Sequence, residues 1–209
     1  MPPFLHLTQF LPDSDRIALL DWVVAARGTF READVFYGPG GNESRVDPAF
    51  RQTLKTSDIG PFEDLFRQRL TTQLPQIMNA LGDTRPPPQS IEFELNAYGQ
   101  GAHFRPHIDI PVGENRRTLG ATEGEDRVIS AVYYFHGEPK GFSGGALRLY
   151  RFGTKACGPA GALNSIAFEP LQNSLLAFPS WAVHSVDPVD CPSGEFKDHR
   201  FALNCWFCR

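Results

Sequence analysis

The sequence predicts a mainly β protein of the α+β class, in which a helical N-terminal part precedes a β-sandwich or β-barrel. Apolar residues recur at helical spacing before residue 90, whereas short runs rich in β-branched and aromatic residues follow it. Three successive prolines, residues 86–88, separate the two patterns, because proline interrupts regular structure. With 209 residues, 41% of them hydrophobic, we expect one domain over 1–209, with helical support from 1–89 and a β core over 90–209.

Two helices are predicted in the N-terminal part. Asp13 or Ser14 can cap the first helix, and Gly28 can end it. The second helix is predicted to begin at Pro61, because proline is favoured in the first turn. A second proline, Pro75, is expected to kink or divide this helix.

Six β-like runs follow, separated by clusters of Gly, Pro and Asn. These runs are IEFELNAY, RVISAVYYF, ALRLYRF, NSIAF, SLLAF and RFALNCWF. Several short strands at such spacing indicate a sandwich or barrel. The connecting stretches 111–126 and 153–164, and GPGGNESRVDP between the helices, are either substrate-facing loops or ordinary surface connections.

Charge and composition argue against several classes of partner. The formal net charge is -4 and charges of both signs are interspersed, so we expect neither a nucleic-acid partner nor attachment to an anionic membrane. The N-terminus lacks the features of a secretory signal, no stretch approaches a membrane span, and a cytoplasmic location is expected. Four cysteines, all after residue 150, are too few and uneven for a disulfide framework, and we expect reduced thiols. The oligomeric state cannot be predicted.

The strongest chemical signal is the pair His107 and Asp109 in HFRPHIDIP. Residues i and i+2 of an extended segment project from the same side, so an imidazole and a carboxylate can converge on one ion. The third candidate ligand is His184, in NSLLAFPSWAVHSVDPV. Two histidines and one carboxylate form the facial triad of non-haem Fe(II) oxygenases, which leaves one face of the metal open. Zinc can use the same ligands, but the sequence offers no HExxH helix for zinc hydrolysis.

Five segments in a fixed order carry a resemblance to a known family: NAYGQGAHFRPHIDI, RVISAVYYFH, SGGALRLY, IAFEPLQNSLLAFPSWAVHSV and HRFALNCWF. Together with the H-x-D…H triad, they make residues 90–209 resemble the 2-oxoglutarate/Fe(II) dioxygenase superfamily, and within it the prolyl 4-hydroxylase-like group. The resemblance implies a double-stranded β-helix, a jelly-roll and cupin-like core, with N-terminal helices packed on one sheet. It also implies Fe(II), 2-oxoglutarate and O₂ as cofactors and cosubstrates, with ascorbate as a stimulating reductant.

The same resemblance assigns residues to the binding of 2-oxoglutarate. Arg200, at the start of the last strand, is expected to bind the far carboxylate, with Tyr134 and Tyr98 beside it. A guanidinium can bind a carboxylate through two parallel hydrogen bonds. Lys197 is the rival for this role, since the loop after the second histidine is longer here than in relatives.

The expected activity is hydroxylation of an unactivated C–H bond in a prolyl residue or another amino-acid, peptide or protein substrate, with conversion of 2-oxoglutarate to succinate and CO₂. If Arg200 faces the interior, alternation places Asn204 and Trp206 on the same side of the strand, and we expect both, with Arg105, to line the substrate pocket. A plain core position for the tryptophan is the other interpretation. The alternative function is a non-catalytic β-helix module that senses metal or 2-oxoglutarate, which would not couple O₂ consumption to 2-oxoglutarate turnover.

Overall fold

The computed structural model describes residues 1–37, 43–110, 126–151 and 164–209. It contains the helices α1, Asp13–Ala25, and α2, Glu63–Leu81, with short 3₁₀ turns at Ala26–Thr29, Gly60–Phe62 and Phe196–Asp198. The strands in chain order are β1 Leu5–Thr8, β2 Arg31–Glu32, β3 Asp34–Tyr37, β4 Glu43–Val46, β5 Arg51–Gln52, β6 Leu54–Thr56, β7 Ser90–Tyr98, β8 His103–His107, β9 Arg127–Phe135, β10 Ser143–Gly144, β11 Leu147–Tyr150, β12 Ser165–Phe168, β13 Ser174–Pro179, β14 His184–Val186, β15 Val189–Asp190 and β16 Arg200–Cys208. Neither described helix is long and apolar enough to cross a membrane.

Most strands belong to two antiparallel sheets. The large sheet has the order β1-β13-β9-β16-β7-β6-β2, and the small sheet has the order β12-β11-β14-β8-β5. Strands β3 and β4 form a separate hairpin, and β10 pairs with β15. The centre of the large sheet is formed by its longest strands, where Leu203 of β16 lies opposite Leu95 of β7 and Tyr133 of β9.

The large sheet buries both of its faces, because successive residues of its central strands point to opposite sides. On one face, sheet residues such as Leu95 and Leu203 share a hydrophobic core with Phe66 and Leu70 of α2. The opposite face packs towards the small sheet through Val132, Tyr134, Leu176, Phe178 and Ala202. The helices therefore support one face, as predicted, and the space between the two sheets is left for a site.

The helices differ from the sequence prediction in detail. Neither Asp13 nor Ser14 caps α1, because the helix begins at Asp13 with Pro12 in the capping position and no side-chain hydrogen bond there. The second helix continues through Pro75 without being divided. A proline removes one backbone hydrogen bond, but buried leucine and isoleucine side chains on both sides of it hold α2 against the sheet.

Residues 1–89 supply strands as well as the predicted helical support. Strand β1 pairs with β13, β5 with β8, and β6 with β7, so the N-terminal part extends both sheets. These strands have two to four residues, which is too short for an alternating pattern to be detected. These short segments form strands because they pair with longer neighbouring strands.

The predicted loops 111–126 and 153–164 fall almost entirely outside the described residues. The same holds for Cys157 and for the glycine-rich part of GPGGNESRVDP.

Candidate metal and cosubstrate site

Adjacent strands of the small sheet bring the three predicted metal ligands together. His107 ends β8, His184 begins β14, and the two residues lie directly opposite each other. Asp109 follows β8 and donates its amide N–H to the carbonyl of Ser180 over 3.0 Å. Its carboxylate oxygens lie 3.5 Å from Nε2 of His184 and 3.7 Å from Nε2 of His107. All three ligand atoms fall within 4.8 Å of one another, so one metal ion can contact them all.

Backbone carbonyls orient both histidine rings. Nδ1 of His107 hydrogen-bonds to the carbonyl of Arg105 at 2.8 Å, and Nδ1 of His184 to the carbonyl of Ala182 at 2.9 Å. Because a carbonyl only accepts, Nδ1 carries the proton in each ring. The lone pair of Nε2 is then free for a metal.

The carboxylate of Asp109 is fixed by side chains of the large sheet. The hydroxyl of Ser130 donates to Oδ2 over 2.6 Å, and the indole of Trp206 lies beside this carboxylate. Burial alone would raise the pKa of Asp109, but the two histidines, Ser130 and Trp206 hold it below its usual range. Burial, reinforced by His184, lowers the pKa of His107. An anionic carboxylate and a neutral imidazole are the forms that bind a divalent metal.

The three ligands lie at the edge of a small cavity between the sheets. Arg200 also lines this cavity. The other lining residues are uncharged: Tyr98, Phe104, Val132, Leu147, Val186, Ala202 and Asn204. The cavity thus combines a metal-binding corner, a single arginine and a largely apolar wall.

Arg200 has unused hydrogen-bonding capacity inside this cavity. It is 1% exposed, its Nε donates to the carbonyl of Gly145 over 2.8 Å, and its guanidinium carbon lies 4.7 Å from the ring of Tyr98 and 5.0 Å from that of Tyr134. Within the described residues, Nη1 of Arg200 and the hydroxyl of Tyr134 have no hydrogen-bond partner. Burial raises the pKa of Tyr134, which keeps this hydroxyl a donor. Unpaired buried donors are costly, so both groups fit a carboxylate brought by a ligand.

A β-bulge changes which side chains of β8 face the cavity. His107 pairs with His184 and Phe104 with Val186, so two residues of β8 face one residue of β14 between these pairs. Phe104 therefore points to the same side as His107, and the two rings stack with centroids 3.5 Å apart. Arg105, expected in the substrate pocket, is exposed on the bulge and does not line this cavity.

The remaining predicted residues take different positions. Asn204 lines the cavity, and Trp206 is buried beside Asp109 without lining the described cavity itself. Lys197 is exposed on the 3₁₀ turn before β16, whereas Arg200 is buried. Position therefore favours the arginine over the lysine as the carboxylate-binding residue.

Sequence reasoning missed the apolar wall residues of the cavity and three further residues at or beside the site: Phe104, Ser130 and Arg51. The guanidinium of Arg51 lies 4.7 Å from the Phe104 ring and donates to Glu94 over 2.6 Å and Asn96 over 2.7 Å. Only Ser130 leaves a signal in the sequence, as a hydroxyl inside the apolar run RVISAVYYF. Phe104 faces the site because of the bulge in β8, and Arg51 lies on the short strand β5.

Comparisons with known proteins agree with this site. The sequence model of the 2OG-Fe(II) oxygenase superfamily matches residues 93–208. An uncharacterized PKHD-type hydroxylase of Synechocystis sp. is 31% identical in an alignment over 199 residues that covers 86% of this chain and 63% of that relative. A PKHD-type hydroxylase of Synechococcus elongatus is 28% identical over 129 residues, or 61% of this chain and 48% of that protein. The chain thus spans less than two thirds of the length of these relatives.

Solved structures confirm the predicted fold. A prolyl-4-hydroxylase of Pseudomonas putida superposes with a TM-score of 0.63 at 22% identity, over 100% of this chain and 94% of that chain. A prolyl hydroxylase of Trichoplax adhaerens, in complex with a peptide fragment of the hypoxia inducible factor oxygen degradation domain, gives 0.64 at 18% identity, over 99% and 84%. The two facing antiparallel sheets are those of a double-stranded β-helix. With the intact His107, Asp109 and His184 triad and a family match over more than half of its length, the chain belongs to the 2-oxoglutarate/Fe(II) oxygenase superfamily, which uses Fe(II) and 2-oxoglutarate.

Proposed function

We propose that this protein hydroxylates an unactivated C–H bond of a prolyl residue in a peptide or protein, with decarboxylation of 2-oxoglutarate to succinate and CO₂. One observation carries the cosubstrate part: a buried metal triad shares its cavity with Arg200, whose Nη1, like the hydroxyl of the neighbouring Tyr134, has no hydrogen-bond partner among the described residues. A metal chelator with a second carboxylate satisfies both ends of this cavity. When bound, Fe(II), 2-oxoglutarate and O₂ supply the oxidation of the C–H bond.

The residues of the cavity have separate tasks in this proposal. The triad holds the metal by three ligands and leaves other coordination positions for cosubstrate and O₂. Arg200 and Tyr134 orient the far carboxylate of 2-oxoglutarate. Phe104, stacked on His107, helps to keep water away from the metal, together with the apolar residues of the cavity wall.

The comparisons support a prolyl substrate. The curated relatives are described as PKHD-type hydroxylases, and the similar solved structures are prolyl hydroxylases, one of them in complex with a peptide fragment. The pocket beside the metal is mostly uncharged, which suits an apolar ring better than a charged side chain. A cytoplasmic location and the lack of a nucleic-acid partner stay predictions from composition.

The test is a screen of proline-containing peptides with Fe(II), 2-oxoglutarate, ascorbate and O₂. Succinate release and the gain of one oxygen atom on the peptide are measured together, each peptide being matched by its Pro→Ala version. Coupled succinate formation and oxygen gain at proline are expected. Oxygen gain only on free amino acids, or on the alanine versions, would refute the substrate class. A protein that never turns over 2-oxoglutarate would instead favour the non-catalytic module.

A further inference from the structure

We propose that Glu92 and Arg127 are positioning residues for the metal ligand Asp109, acting through the indole of Trp206. This inference concerns the triad itself and rests on the proposed metal chemistry, but not on the identity of the substrate.

The first step is a row of side chains across the large sheet. Glu92 of β7, Trp206 of β16 and Ser130 of β9 are direct neighbours in register, so they project from the same face of the sheet. That face points towards Asp109, which receives a hydrogen bond from Ser130 over 2.6 Å and lies beside the indole of Trp206. The anionic ligand comes from the small sheet, yet its carboxylate is oriented by the large one.

The second step is the packing of Arg127 on the indole. The guanidinium carbon of Arg127 lies 3.7 Å from the Trp206 ring, close enough for a strong cation–π contact. Nε and Nη2 of the same guanidinium donate to Oε2 of Glu92 over 2.9 and 2.5 Å. Trp206 is 6% exposed. The arginine therefore covers one face of a buried ring, and the glutamate fixes the arginine.

The third step is the contrast between the ligands. Each histidine is oriented by a backbone carbonyl only two residues before it. The carboxylate of Asp109 is contacted instead by two side chains of the large sheet, the hydroxyl of Ser130 and the indole of Trp206. An indole that turns away would leave the carboxylate held by Ser130 without the ring beside it, and such outer contacts commonly change metal affinity by about 10- to 100-fold.

The test is an anaerobic titration of Fe(II) into the apo-protein with saturating 2-oxoglutarate, read by the visible charge-transfer band. Trp206→Phe keeps an aromatic ring at this position but removes the indole N–H, so we expect about a 10-fold higher Kd for Fe(II) and a shifted band. Arg127→Met is expected to raise the Kd by about 3- to 10-fold. Arg127→Lys, which retains a cation above the ring, should bind nearly as tightly as the wild type. The double variant Trp206→Phe with Arg127→Met should bind Fe(II) no more weakly than Trp206→Phe alone, because the arginine acts through the indole.

A matched control lies on the other face of the same sheet. Arg67 sits 5.0 Å from the ring of Phe93 and donates to Glu63 over 2.9 and 2.6 Å, the same arrangement without a metal ligand. Arg67→Met should leave the Kd and the band unchanged.

Two results would overturn the proposal. Additive losses in the double variant would mean that Arg127 does not act through Trp206. An unchanged Kd and band in Arg127→Met, with a raised KM for a peptide substrate, would make the arginine a substrate-binding residue. A wild type that gives no band would refute the proposed function itself, which is a separate outcome.

Discussion

At the scale of single residues, Arg200 is predicted to contribute to 2-oxoglutarate binding but not to metal binding. Its guanidinium is buried, donates to Gly145 and leaves Nη1 unpaired for a ligand carboxylate. Arg200→Lys keeps the charge but loses the planar fork of donors. We expect about a 10-fold or greater rise in the 2-oxoglutarate concentration for half-maximal binding, in line with loss of a charge-assisted hydrogen bond, with Fe(II) affinity unchanged. Anaerobic titrations of each component measure both, and an equal loss of Fe(II) affinity would contradict this role.

His107 makes the metal-free protein sensitive to acid. Burial, with His184 close by, lowers its pKa below the 6.5 of an unperturbed histidine. Below pH 6.5 the unfolded chain binds this proton and the folded chain resists it, so stability falls as the pH drops below that value. His107→Gln should reduce the change of unfolding free energy with pH by up to about 1.4 kcal/mol per pH unit. Urea unfolding of the metal-free wild type and of metal-free His107→Gln between about pH 7 and pH 5 measures the difference. Parallel curves of unfolding free energy against pH would exclude the effect.

At the scale of elements, the glycine turn before β11 gives Arg200 its space. Gly145 has a φ of +69°, and a Cβ there would lie 2.6 Å from Cδ of Arg200 and 2.8 Å from Cγ2 of Val189. Gly145→Ala should therefore displace the arginine and weaken 2-oxoglutarate binding by about 10-fold, besides its backbone strain of about 1 kcal/mol. Gly194→Ala is the control, because Gly194 has a φ of +64° and no atom within 4 Å of the added Cβ. Similar 2-oxoglutarate affinities in the two variants would contradict the steric argument.

The elements also show what a sequence can predict. All six β-like runs became strands of the two sheets, because each is long or apolar enough to be recognised by itself. The bulge in β8 could not be read from HFRPHIDIP, since it arises from unequal pairing with β14. Strand β5 has two residues and exists only through its partner β8. For this reason the metal ligands and Arg200 were predictable, whereas Phe104 and Arg51 were not.

At the scale of the whole molecule, the large sheet separates a supporting core from the cavity. Leu70 of α2 is fully buried on the helix side, away from the residues that line the cavity. Leu70→Ala should lower the free energy of unfolding by about 2–5 kcal/mol, because it removes a packed side chain and leaves a hole. The affinities for Fe(II) and 2-oxoglutarate should stay unchanged while the protein is folded. Urea unfolding and ligand titration test the two statements, and a loss of affinity without a loss of stability would contradict them.

The central claim is that one cavity binds a metal through the triad and 2-oxoglutarate through Arg200. The most direct measurement is anaerobic addition of Fe(II) and 2-oxoglutarate to the apo-protein, followed by the visible metal-to-ligand charge-transfer band. We predict a band in the wild type, no band in His107→Ala, and a band in Arg200→Ala that needs far more 2-oxoglutarate. A wild type without this band would contradict the account and favour zinc chemistry or a non-catalytic β-helix.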